Sequence, residues 1–190
     1  MKKDKQTKDL RRLMKGLANK HYFNYGGQGP LPSASLDAIT KSWETIQELG
    51  PFTRQAWRYT TNEIEKTRKR LASICGVDNR RIALTENVTA GCILPLWGLP
   101  FSPGDRILIS DCEHPGIKAA CKELSYRHQL KIDIIKLEGL RNGVENTFET
   151  ERSLITELEK KIIPRTKVVV ISHVLWNTGQ VIPINPIAKM

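Results

Sequence analysis

From residue 81 onward, short β-rich apolar runs alternate with longer stretches in which apolar side chains recur every three or four positions. The runs lie at 81–85, 106–110, 131–137 and 167–172. Between them, a helix opens after Asn87, a second spans 116–127 with Ile117, Ala120, Cys121 and Leu124 inward, and a third spans 149–162. The third has acids in its first turn and Lys160 and Lys161 in its last, in accord with the helix dipole. This order predicts an α/β fold, a mostly parallel sheet with flanking helices. KVVVIS, at 167–172, is the most apolar run and is expected to be buried on both faces. Pro95 falls inside the first helix, where its ring meets the carbonyl of Gly91, so a kink or an early end is expected there. SPGD at 102–105, Gly139 and Asn142-Gly143 mark turns and loops.

Two helices precede this pattern. Ser33 is a candidate cap for a helix with Leu36, Ile39, Trp43 and Ile46 on one face, stopped by Gly50 and Pro51. Another runs over 61–75 with Ile64, Leu71 and Ile74 inward, a Glu65–Lys69 pair outside and Gly76 as its end. The chain thus divides into a basic arm (1–20), a loop with helices (21–76) and an α/β part (77–190).

Composition changes this picture little. About two fifths of the 190 residues are apolar and a quarter are charged, as in an ordinary globular protein. The longest apolar stretch, 91–101, is broken by proline and is too short to cross a bilayer, and the basic N-terminus lacks the apolar core of a secretory signal, so the expected location is the cytoplasm. The net charge is +10, and eight Lys and Arg face two Asp in the first 20 residues. Without interleaved aromatics or a nucleic-acid module, this arm reads as a solvated segment, and nucleic-acid binding is the minor alternative. The four cysteines have neither CxxC nor zinc spacing, so free thiols are expected; Cys112 and His114 are two ligands and make no metal site.

Ligands of open α/β sheets sit outside the carboxyl ends of the strands, which selects the loops at 85–89, 111–115 and 173–179. The first is the most suggestive. A strand feeding a helix through Thr85, Asn87 and Thr89 leaves first-turn amides and hydroxyls available to an anion, although the same residue types serve simply as helix caps. The stretch lacks a Walker A lysine and a GxGxxG pattern, which favours a small phosphorylated cofactor over a nucleotide. Upstream, HYFNYGGQGPLP at 21–32 is a Gly-rich loop suited either to lining a pocket or to a tight turn.

NYGGQGPLP, LTENVTAG, CEHPG and HVLWNTGQ, in this order and spacing, resemble the class V aminotransferase-fold enzymes that use pyridoxal phosphate. That group includes cysteine desulfurases, isopenicillin N epimerase-like proteins and cysteine/cystine C-S lyases, and the motifs look most like the C-S lyase branch. The resemblance covers 22–190 and implies the large domain of a type I pyridoxal phosphate-dependent transferase, present in part. It assigns the Val88 amide and the Thr89 amide and hydroxyl to the cofactor phosphate. It makes His114 the ring that stacks on the cofactor and moves protons, Asn177 a cofactor ligand, and Gly27 and Gln28 part of the substrate pocket. Trp176 stands where the desulfurases place an Asn, so Trp176 is either a site residue or core, and His173 is expected to pack at the strand end.

The resemblance further implies a cysteine or cystine substrate, a homodimer in the full-length form, and elimination of sulfur to give pyruvate, ammonia and a sulfide or persulfide. The Schiff-base lysine and the aspartate that pairs with the pyridine nitrogen are expected beyond Met190, so the chain alone is expected to be inactive and marginally folded. Desulfurase, aminotransferase or epimerase activity, and a non-catalytic module that retains the phosphate site, are the alternatives.

Overall fold

The computed structural model describes residues 11–17, 19–137 and 148–190, in two compact units divided between Leu84 and Thr85. Most of the basic arm and the loop containing Gly139 and Asn142-Gly143 lie outside the described residues.

The first unit contains helices α1 (Ser33–Leu49) and α2 (Arg54–Cys75), flanked by 3-10 turns at Lys15–Leu17 and Asn79–Arg81. Three sequence expectations are corrected here. Pro32, not Ser33, occupies the α1 N-cap, and the Ser33 amide instead donates to the Leu13 carbonyl (2.7 Å). Helix α2 begins seven residues earlier than its apolar pattern suggests, because Thr53 caps it by accepting the Ala56 amide. Glu65 pairs with Arg68, one turn away at i+3, rather than with Lys69. At the other end Gly76 adopts a left-handed φ of 65°, and the Val77 amide returns to the Ala72 carbonyl in a Schellman closure.

Ile64, Leu71 and Ile74 of α2, expected inward, are exposed (Ile74 81%), and so are Leu36, Ile39 and Trp43 (64%) on the apolar face of α1. Periodicity gives the face but not its cover. In this unit only small side chains, Ala56 and Ala72, are buried along α2.

The second unit is a three-stranded parallel sheet of order β2-β1-β3, with β1 at Arg106–Ser110, β2 at Lys131–Ile135 and β3 at Thr166–Val170. Helices α3 (Val88–Trp97), α4 (Pro115–His128), α5 (Phe148–Lys161) and the short α6 (Ile184–Ile187) complete it. Alternate β1 residues face opposite layers. Ile107 and Ile109 pack with Leu96 of α3 and with Ile117, Cys121 and Leu124 of α4. Leu108 faces Leu154 and Leu158 of α5 together with Leu175 and Ile182. Helices therefore cover both faces, as the alternating pattern requires.

Two strand expectations also change. The run at 82–85 is not in a ladder: Ile82 has extended dihedrals (φ −104°, ψ 117°), but no described strand lies alongside it. KVVVIS is only half-buried, because among the described residues β3 lies at the edge of the sheet, and the most buried strand is the central β1. Helix α3 does end early, two residues after Pro95, with its first turn intact.

At the amino ends of β1 and β2, Arg106 and Asp133 form a two-pronged ion pair, each side chain less than a quarter exposed. Hydrogen bonding to Arg106 holds the Asp133 carboxyl below its ordinary value. A depressed folded-state pKa adds stability above the unfolded-state value, near 4, that is lost as pH falls through the folded value. The thermal midpoint of the wild type should therefore drop more steeply below about pH 4 than that of Asp133→Asn, measured by circular dichroism in a pH series. Equal slopes would remove Asp133 as a source of acid sensitivity.

Candidate functional site

The carboxyl end of β1 is tied to both neighbouring strands by the two acids of the DCEHP loop. On one side, the Asp111 amide donates to the Ile135 carbonyl (3.0 Å) and its Oδ1 accepts the Leu137 amide (2.7 Å). On the other, the buried Glu113 carboxylate accepts from the Ser110 hydroxyl (2.7 Å), the Ser172 amide (2.7 Å) and the Ser172 hydroxyl (2.6 Å). Cys112, between them, is buried against Leu108. Lys118 reaches back from α4 to the Asp111 carbonyl (2.6 Å).

His114 follows as the N-cap of α4, with Pro115 in the first helical position, where its missing N–H costs nothing. Its Nδ1 accepts the Gly116 amide (3.2 Å). That bond assigns the proton of the neutral ring to Nε2, which leaves Nε2 as the nitrogen available for chemistry.

Trp176 stands edge-on to His114, with ring centroids 5.6 Å apart at 68°. It is half-exposed, so it is not core; its neighbour Leu175 is the buried residue. A tight hairpin holds Trp176 in place. Val174 bridges Val181, the Leu175 amide donates to the Gln180 carbonyl (2.9 Å), and Gly179 takes a φ of 73°. His173 anchors the base of this hairpin through Nδ1 and the Ile182 carbonyl (2.8 Å), the strand-end role expected of it. Asn177 lies in the exposed turn, and among the described residues its side chain has no hydrogen-bond partner.

The first turn of α3 lies beside His114. A side chain at Gly116 would stand 3.4 Å from His114 Nδ1 and 3.7 Å from the Thr89 methyl, so this glycine permits the close approach of α3 and α4. Asn87 caps α3 by accepting the Ala90 amide (2.9 Å), and the Gly91 amide bonds the Asn87 carbonyl (3.0 Å). The Val88 and Thr89 amides have no acceptor among the described residues, and neither does the Thr89 hydroxyl. Thr85 differs from expectation: its hydroxyl donates to the Asn87 carbonyl (3.1 Å) and stiffens the turn instead of facing outward. Asn87 is the cap, and the two residues after it keep their amides open.

Beneath the site, the Cys121 thiol is pushed up to about 11 by burial, with the Glu113 carboxylate and Cys92 adding to the shift. It stays protonated and acts as packing. Among the described residues no group of three or more His, Cys, Asp or Glu is arranged to hold a metal ion, and no helix is long and apolar enough to cross a membrane.

In the first unit the Gly-rich loop is a tight turn. The Gly27 and Gln28 amides both donate to the Asn24 carbonyl (3.2 and 3.3 Å), and Tyr22 donates to the Gln28 carbonyl. A side chain at Gly29 would overlap the Tyr25 ring. Gly27 and Gln28 are exposed on this turn.

The parallel sheet thus carries, at its carboxyl end, a capped helix start, two open amides and a histidine, the place where ligands of open α/β sheets sit. The aminotransferase class-V family model matches residues 21–190, and the chain belongs to that family, whose members use pyridoxal phosphate. It is similar to a solved variant of C-DES with glycine covalently linked to the pyridoxal phosphate cofactor (40% identity, TM-score 0.84, covering 94% of this chain and 44% of that one). It is likewise similar to the cystine C-S lyase C-DES in complex with its product cysteine persulfide (39% identity, TM-score 0.82, covering 93% and 44%). Isopenicillin N epimerase of Streptomyces clavuligerus is 26% identical over 162 residues, 84% of this chain and 38% of the epimerase. The chain therefore spans less than half the length of these relatives.

Asp111, Glu113 and Ser172, which build the site, are absent from the motif-based assignment. The pair of acids at the exit of β1 was a visible signal, but their partners lie 26 and 59 residues away. Asn87→Ala should lower stability by about 1 kcal/mol in denaturant unfolding, whereas Asn87→Asp should retain the cap. An unchanged Asn87→Ala would mean that the α3 start is held by other contacts.

Proposed function

We propose that this chain is the N-terminal, phosphate-holding part of a pyridoxal phosphate-dependent class V enzyme that eliminates sulfur from cysteine or cystine. The observation that carries the cofactor assignment is the pair of open amides at Val88 and Thr89, beside His114. A phosphate there accepts both N–H groups and the Thr89 hydroxyl at the positive end of the α3 dipole. His114 borders the same space and can hold or move a proton at Nε2, while its other nitrogen remains bonded to Gly116. Bound there, pyridoxal phosphate supplies an electron-withdrawing ring that stabilises negative charge next to the substrate's amino group. The wall offered by Trp176, where desulfurases are expected to carry Asn, and the similarity to the C-S lyase C-DES favour sulfur elimination over the other reactions of the family. Asn177 is proposed as a further cofactor contact, and Gly27 and Gln28 as part of the substrate pocket. The exposed apolar faces of α1 and α2 support a homodimer, since contiguous exposed apolar surface ordinarily marks an interaction site.

Equilibrium dialysis tests the phosphate site. The chain should bind pyridoxal phosphate reversibly and in preference to pyridoxal. Val88→Pro is the sharpest variant: proline suits the first helical position and the extended Asn87 before it, yet it removes one open amide. It should weaken binding about 10-fold or more, the worth of one hydrogen bond to a charged group, with helix content unchanged. Thr89→Val should act in the same direction. Equal affinity for pyridoxal and its phosphate would remove the site. For the reaction, the chain joined to a class V C-terminal half should release pyruvate and ammonia from cystine; failure of that reconstituted protein to turn over would count against the lyase reading.

A further inference from the structure

Glu113 has no role in the phosphate site, yet it is a charged residue only 3% exposed and held by three donors. An ionised carboxylate can only accept, and all three donors come from the strand exits that carry His114 and Trp176. Ser110 is the last residue of β1, four positions before His114; Ser172 follows β3, four positions before Trp176. Both short spans are stiff. Between Ser110 and His114 the chain is fixed by Asp111 on the β2 side and by the α4 cap. Between Ser172 and Trp176 it is fixed by the hairpin bonds at His173 and Leu175 and by the buried Leu175 side chain. Rigid spans transmit position, so the separation of the two rings depends on how closely the β1 and β3 exits are joined. Beyond the end of the β1–β3 ladder at Ile109 and Val170, the Glu113 carboxylate makes that join.

We propose that Glu113 is a positioning residue: its buried carboxylate clamps the β3 exit to the β1 exit and thereby fixes Trp176 against His114. The clamp rests on the proposed function only for its use, since it would hold the histidine and the indole wall in register beside the cofactor. The contact itself requires no ligand.

Fluorine NMR of the 190-residue chain carrying fluorotryptophan reads the clamp directly. Four resonances are expected, one for each tryptophan, and Trp176→Phe identifies the relevant one. His114→Ala should move that line alone, because it removes the neighbouring ring. Ser172→Ala, which deletes one hydroxyl, should move the Trp176 line toward its position in His114→Ala. It should leave the other three lines in place, which a general loosening of the unit would not do. Glu113→Ala should complete the shift; if that variant unfolds, Ser172→Ala decides.

A Trp176 line unmoved in Ser172→Ala, or insensitive to His114→Ala, overturns the proposal. Pyridoxal phosphate dialysis on the same samples separates the two ideas. A chain that shows the shifts but does not bind the cofactor keeps the clamp and loses the proposed function. A chain that binds the cofactor but shows no shifts does the reverse.

Discussion

The second unit depends on how the carboxyl end of its central strand is closed. A three-stranded parallel sheet ends in backbone groups that its own ladder cannot pair, and buried polar groups left alone are costly. Asp111 and Glu113 resolve this by giving side-chain oxygens to backbone amides on either side, Leu137 toward β2 and Ser172 toward β3. Cys112, between them in the turn, packs into the apolar layer with Leu108. The loop can then turn sharply into α4 with His114 as its cap.

From that closure the rest of the site follows by packing. Helix α4 starts where His114 places it, and Gly116 lets α3 lie close enough for Thr89 to approach the same histidine. The α3 start is held by its own small network of Thr85, Asn87 and Ala90, which leaves the two intervening amides open. Rigid surroundings around unsatisfied donors are what a preorganised anion site requires.

Legibility differed sharply between local and distant features. The α4 inward set of Ile117, Ala120, Cys121 and Leu124 and the limits of β1 were readable because periodicity and turn residues act over a few positions. The ligand-side loops were readable because the α/β rule places them at strand ends. The composition of β3 overstates its burial, since apolar content records what a strand tolerates and not whether it is central. Residues 82–85 have strand composition without a described neighbour to pair with, and α1 and α2 have clear apolar stripes without a cover in their own unit. The role of Glu113 is not legible locally, because its partner Ser172 lies 59 residues away.

The sheet order also sets a schedule. The strand at the centre is the first made, and its two partners come later in the chain, with β2 the nearer and β3 the farther. Loop closure grows costlier with span, so β1, α4 and β2 can join early through the Asp111 contact, whereas the Glu113 contact waits for a segment 59 residues downstream. Until β3 docks, a carboxylate destined for burial stays in water, and its hydration opposes premature collapse of that side of the sheet. The histidine and tryptophan come together only when β3 joins β1, so their pairing waits on the longer of the two loop closures.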